Sequence, residues 1–185
     1  MALGKDRKRF NVKGGGDLRV REIYPTPTDA FSILGILLSN TFMDESTMVE
    51  GQDEKGDMQN VEPGSRKVTW VTRLRQSTKD EIDFIRGVVG KYYDVYYKVP
   101  LSNAEIQEIR LFCVRIVPNF TLNFAAGTPR DIEVTIHALV SKGAFTQSPA
   151  GWGDIAEGDY YVIEENAVAL GPPDDTAANL ATAVL

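Results

Sequence analysis

Apolar and polar positions alternate with a period of two along much of this chain, the spacing of half-exposed β-strands. The clearest case is residues 65–76, where Val68, Trp70, Thr72 and Leu74 fall on one face and Lys67, Thr69, Val71, Arg73 and Arg75 on the other. Residues 18–24 alternate in the same way until Pro25-Thr26-Pro27 stops them. Residues 131–140 set Ile132, Val134, Ile136 and Ala138 against Glu133, Thr135, His137 and Leu139. Residues 91–99 are rich in aromatic and β-branched side chains and predict a strand, as do 105–117, which end at Pro118, the short stretch 120–124 and the stretch 159–163. Residues 30–42 read either as a buried strand pair bent at Gly35 or as a helical turn.

One segment breaks this period. Thr78 is followed three residues later by Glu81, a capping-box pattern, and Ile82, Ile85, Val88 and Val89 then form an apolar stripe flanked by Phe84, with Gly90 as a natural C-cap. The pattern predicts a short helix over about 78–89. Many strands and one helix predict a mainly β chain, an antiparallel β-sandwich or barrel decorated by that helix. Three polar or small-residue stretches lie outside this body. Residues 1–17 form a basic arm ending in Gly14-Gly15-Gly16, a flexible joint. Residues 44–64 are acidic and rich in turn formers, and read as a long loop or hairpin projecting from the single domain of residues 18–170. Residues 171–185 read as a C-terminal extension.

Charge sharpens this picture. Seven basic residues against two acidic ones give residues 1–21 a net +5 on a chain of net −6, so the rest carries −11. A basic arm on an acidic body can bind nucleic acid, or dock on the acidic body of a neighbouring copy. A pI near 4.9 argues against a protein that coats duplex DNA, which needs a basic face. No apolar run approaches the roughly 20 residues that span a bilayer. The basic start has no apolar segment behind it, so no secretory signal is expected. Catalytic chemistry is thin. Cys113, in the run Leu111-Phe112-Cys113-Val114, reads as a small buried hydrophobe, and His137 as a structural or surface residue of its strand. Neither has a partner for nucleophilic or metal chemistry, Gly14-Gly15-Gly16 lacks the Lys-Ser/Thr ending of a phosphate loop, and the acidic stretch lacks the spacing of a calcium loop. No enzyme activity, cofactor or metal is expected. Of Tyr92, Tyr93, Tyr96 and Tyr97, a strand puts two on each face, one pair for the core and one for a subunit contact.

The block from 43 to 140 resembles the tail tube (major tail) proteins of long-tailed bacteriophages. The resemblance is carried by Met43-Asp44-Glu45-Ser46-Thr47-Met48-Val49-Glu50-Gly51, then Asp53-Glu54-Lys55-Gly56, then Gly64-Ser65-Arg66-Lys67-Val68-Thr69-Trp70-Val71-Thr72-Arg73-Leu74-Arg75-Gln76 running into the capped helix. It covers about the middle half of the chain and rests on order and texture. It implies a virion structural protein of the tail, assembled in the bacterial host cytoplasm. Six copies form a ring with a continuous inner β-barrel, and rings stack into a tube that conducts DNA during ejection without binding it specifically. Partners would be the chain itself, with sheath, tape-measure and tail-completion proteins. The candidate inter-subunit contacts are Lys5, Arg7, Lys8, Arg9, Arg19 and Arg21 on the arm, Asp44, Glu45, Glu50, Asp53 and Glu54 on the loop, Arg73 and Arg75 on the long strand, and Tyr93 and Tyr97. The alternatives are a tail-completion or neck ring, a secretion-system tube, or, in a different class, a nucleic-acid-binding module using the basic arm.

Overall fold

Where apolar side chains alternate, the chain runs extended, and the pleat sorts them onto one face. The computed structural model describes residues 16–34, 36–52, 58–75, 79–101, 104–119 and 131–185. Its strands are β1 (Asp17–Tyr24), β2 (Ser32–Ile33), β3 (Ile36–Gln52), β4 (Met58–Arg75), β5 (Tyr92–Pro100), β6 (Ile106–Asn119), β7 (Asp131–Ala138) and β8 (Val162–Asn166). The helices are α1 (Lys79–Gly87) and α2 (Ala177–Val184). All pairings are antiparallel, in the order β2-β1-β5-β6-β7-β4-β3, with β8 also on β6. The mainly β, sandwich- or barrel-like class expected from the alternation is the class observed.

The sheet curls over its own apolar face. Leu18 and Val20 of β1 share one core with Val68, Trp70 and Leu74 of β4, at the other side of the sheet. Trp70 meets the ring of Tyr97 edge-on at 4.7 Å, and Asn40 Nδ2 donates to the Tyr97 hydroxyl at 3.2 Å, although β5 and β4 are separated in the sheet by β6 and β7. Gly16 lies so close to Tyr97 that an added Cβ would stand 2.1 Å from the ring. The last glycine of the triplet is therefore required by a close approach as well as by any joint. Helix α1 closes one flank with Ile85 and ends in a turn where Lys91 N–H donates to Val88 O at 3.2 Å. Gly90 takes a φ of +83°, the left-handed conformation expected of a helix stop. The helix is two residues shorter at that end than its stripe suggests. Thr78 of the expected capping box lies outside the described residues, as do 120–124. Within 30–42, Ser32–Ile33 and the residues from Ile36 onward are strand, Ile33 is exposed, and Gly35 lies outside the described residues. The last strand begins at Val162, three residues later than 159.

Strand β6 organises the two sides of this curl. It pairs β5 along one edge, and along its other edge β8 at Ile106–Arg110 and β7 at Val114–Asn119. A register shift opposite Tyr93 and Val95 places both Phe112 and Cys113 on the outer face. There a second apolar cluster forms from Ile23, Phe112, Cys113, Ile155, Ala177, Leu180 and Val184.

That second cluster corrects the expectation of a C-terminal extension. Residues 177–184 form α2, which packs on β1 and β6 rather than extending from the body. Thr176 caps the helix by accepting from Asn179 N–H, and Asp29 Oδ1 accepts from Ala177 N–H at 2.8 Å.

Between α2 and the sheet sits a buried charged network. Arg21 of β1 and Arg110 of β6 both donate to Asp94 of β5 and to Asp175, just before α2. The N–O distances are 2.8–3.0 Å. Arg21, Asp94 and Arg110 side chains are 0% exposed and Asp175 6%. Gln147 Oε1 accepts from Arg110 at 2.6 Å, and the carbonyl of Asp175 from Arg21 at 2.6 Å. Burial works against the Arg110 charge, but Asp94 and Asp175 outweigh it and hold the guanidinium more firmly protonated than usual. Beside it, buried Glu108 accepts from the Tyr96 hydroxyl and from the N–H groups of Leu170 and Gly171 at 2.6–2.9 Å. Two cations and two anions cancel, so removing one partner strands a buried charge. Asp175→Ala is expected to lower stability by about 3–5 kcal/mol in urea unfolding, whereas Asp154→Ala, at the surface, changes it by about 0.5 kcal/mol or less. Equal, small losses for both would deny the network this role.

Candidate assembly surface

The two ends of the sheet differ. At the β3 end, β4 pairs β7 only over Thr69–Arg75, so the far half of the β3–β4 hairpin is held in the sheet by its own ladder. Of the expected projection at 44–64, residues 44–52 and 58–64 pair as the two strands of a hairpin rather than forming a loop. Turn-forming composition is overridden by a ladder that runs from Ile36↔Arg75 to Gln52↔Met58, with register shifts at three places. Among the described residues β3 has no strand on its other side, and neither does the Arg115–Asn119 part of β6 on the side away from β7.

Among the described residues, the outward face of β3, β4, β7 and β6 is regular and largely open. The register aligns Thr41, Val71, Thr135 and Val117 in one row, and Ser39, Arg73, Glu133 and Asn119 in the next. Val117 is 48% exposed. Arg73 Nε donates to Glu133 Oε2 at 3.3 Å, so the charges in this row answer one another. Glu45 stands exposed at the same face, opposite Lys67.

Against this geometry the sequence-derived contact residues divide. Lys5, Arg7, Lys8, Arg9, Asp53 and Glu54 lie outside the described residues. Glu50 and Arg75 lie in β3 and β4. Glu45 and Arg73 lie on the outward face of the hairpin strands, and Asp44 lies on the opposite, core-side face. Arg19 is half-buried and bound to Asp17 within the same strand at 2.7 Å. Three positions are corrected. Arg21 is buried in the ion network, and Tyr93 (2% exposed) and Tyr97 (7%) lie in the core, so none of them offers a surface. Burial pushes the Tyr93 hydroxyl up to about 12. The tyrosines do split between faces, but Tyr96 on the other face is buried too, under Trp152.

Other side chains matter that were not singled out. Arg66 binds Asp44 through Nε at 2.8 Å and Nη2 at 2.5 Å, and the Tyr161 hydroxyl donates to the same carboxylate at 2.7 Å. The pattern of Arg66 and Asp44 twenty-two positions apart carries no local signal. Only the hairpin register reveals it.

The remaining candidate chemistry is quiet. Cys113 is buried, and desolvation pushes its thiol up to about 12. His137 is half-buried near the C-terminal end of β7, in register with Thr69 and Arg115. Among the described residues no group of three or more His, Cys, Asp and Glu is placed to hold a metal ion. No helix among them is long and apolar enough to cross a membrane.

No protein-family model matches this chain, and no curated protein matches it. Among solved structures it is similar to one described as the cryo-EM structure of the anti-feeding prophage cap, an AFP tube terminating cap. The identity is 11%, covering 89% of this chain and 99% of that chain, with a TM-score of 0.49. A likeness of that size identifies neither a family nor a function.

The hydrogen bond from Arg66 holds the Asp44 carboxyl down at about 2, with Tyr161 adding to it. Because the folded value lies below the ordinary 3.8, the pair contributes fully above that pH and is lost as pH falls through about 2. A carboxyl NMR titration is expected to place the Asp44 midpoint near 2, and Arg66→Gln to return it towards 3.8. A wild-type midpoint at the ordinary value would mean that the pair does not persist in solution.

Proposed function

We propose that this chain is a non-catalytic structural subunit that closes with copies of itself into a ring, and that the rings stack into a phage-tail-type tube. The observation that carries the reading is the pair of unlike free edges on one sheet. Strand directions alternate through β6, β7, β4 and β3. The free edge of β3 in one copy can therefore continue, antiparallel, into the Arg115–Asn119 edge of the next. Joining unlike edges is a heterologous contact, which closes into a ring when the rotation allows. Closure would cover part of the 17-residue edge of β3, which otherwise invites uncontrolled pairing. The sequence resemblance supports the same reading and implies six copies, with DNA passing through the channel and with the tail of a virion as the place of assembly.

In such a ring the open face of β3, β4, β7 and β6 lines the channel. Its central row of Thr41, Val71, Thr135 and Val117 offers hydroxyls and methyls, and its Arg73 is answered by Glu133. A paired cation such as Arg73 releases few counterions on contact with phosphate, so this row would let a duplex slide past it.

Electron microscopy of the concentrated protein tests this. Rings with a central channel are expected, and a monomer under all assembly conditions would overturn the proposal. Stacked rings mark a tube subunit, and rings that never stack mark a completion or terminating ring. Thr41→Lys places a charge on the open edge. It is expected to raise the assembly concentration by about tenfold or more while changing stability by about 0.5 kcal/mol or less. Unimpaired assembly would show that β3 is not the joining edge. Salt-dependent DNA affinity that vanishes on deleting residues 1–16 would favour the nucleic-acid-binding reading instead.

A further inference from the structure

We infer that Tyr160 and Tyr161 form a clamp with Phe42, Asp44 and Arg66 that fixes the direction in which the β3–β4 hairpin leaves the body. This inference does not depend on ring formation.

The geometry lies where β4 loses its second neighbour. From Thr69 inward, β4 is flanked by β3 and β7, and outward of it by β3 alone. A two-stranded ribbon twists and bends readily at such a boundary. On its core-side face the register brings Phe42 opposite Trp70 and Asp44 opposite Val68, with Arg66 one diagonal step further out. The tyrosines arrive from the segment just before β8, on a different part of the fold, and are half-buried against the core.

The contacts at that spot are of several kinds. The Arg66–Asp44 pair is bidentate, and the Tyr161 hydroxyl makes a third bond to the carboxylate. The Tyr160 hydroxyl donates to the carbonyl of Arg66 at 3.4 Å. The Arg66 guanidinium lies 5.3 Å and 5.7 Å from the centres of the Tyr160 and Tyr161 rings. Phe42 meets Tyr161 edge-on at 5.0 Å and Trp70 at 5.5 Å. An exposed ion pair alone holds little. Here the pair is fixed in place by two phenols and an aromatic stack that continues into the core through Trp70. The tyrosines span hairpin and body, so the angle between them is set by a built contact and not by the ribbon's own stiffness.

The test measures that angle. Spin labels at Gln52→Cys and Val89→Cys report the hairpin against the body, and the buried native Cys113 stays unlabelled. A single narrow distance distribution is expected for the parent. In Tyr160→Ala/Tyr161→Ala it broadens by about twofold, while amide exchange in 44–52 and 58–66 speeds up by about tenfold and in β5 and β6 stays unchanged. Tyr161→Phe keeps the ring and removes one bond. It folds as the parent does and gives a smaller broadening in the same direction. Distributions unchanged in both variants would overturn the clamp. So would exchange that quickens equally in β5 and β6, because the tyrosines would then serve general stability alone.

Discussion

The fold depends on one buried set of ion pairs. Arg21, Asp94 and Arg110 point from three adjacent strands to the same side of the sheet, and a sheet face carrying two guanidiniums and one carboxylate cannot be buried under apolar residues. Asp175 supplies the missing charge from the far end of the chain. Its placement brings with it the Thr176 cap, α2 and the apolar side chains that cover Ile23, Phe112 and Cys113. The same contacts fix the register of β1 on β5 and of β5 on β6, since each arginine reaches across a strand boundary. The C-terminal segment is thus part of the body, held by electrostatic necessity as much as by apolar area.

With one outer face closed in this way, the polarity of the remaining surface follows. The core-side face of the sheet is sealed by its own curl, where Trp70 meets Tyr97. The outer face over β1, β5 and the first part of β6 is sealed by α2 and the segment before it. What is left open is the outward face and both edges of β3, β4, β7 and the last part of β6. Among the described residues, strand-bonding capacity is left on β3 and on the last part of β6, the unlike edges that the proposed association uses.

The sequence made the interior of this body legible, because burial on one face of a strand imposes a period of two that survives without any knowledge of partners. Val68, Trp70, Thr72, Leu74, Ile132, Val134, Ile136 and Ala138 all lie inside as their alternation predicts. What failed was the meaning of polar residues. Arg21 and Asp94 sit 73 positions apart, and nothing local tells a surface arginine from one that meets a buried carboxylate. Tyrosine suits both interiors and interfaces, so the sequence around Tyr93 and Tyr97 fits a contact residue as well as a core one, and only the neighbouring strands decide between them. The C-terminal helix did leave a signal. Ala177, Leu180, Ala181 and Val184 recur at the helical spacing behind a capping threonine, but small side chains make a faint stripe and the proline-rich start of the segment suggested an extended tail. The hairpin was half legible. Its projection could be read, while its regularity could not, because paired backbones override a turn-forming composition.

The protein uses the same arginine–carboxylate chemistry twice, and exposure decides what each instance does. In the buried network Arg110 has no water to replace a lost partner, so the contact is effectively all or none and stays insensitive to salt. At the hairpin base Arg66 is 43% exposed, where water and ions compete with Asp44 on nearly equal terms. The first arrangement makes the joint between chain end and sheet permanent. The second relies on tyrosine rings to give direction to a pair that could not hold it alone, which leaves the hairpin aimed but adjustable. A subunit that must meet its neighbours through that hairpin gains from this division. In the proposed ring, the small adjustment of fit would fall on that hairpin.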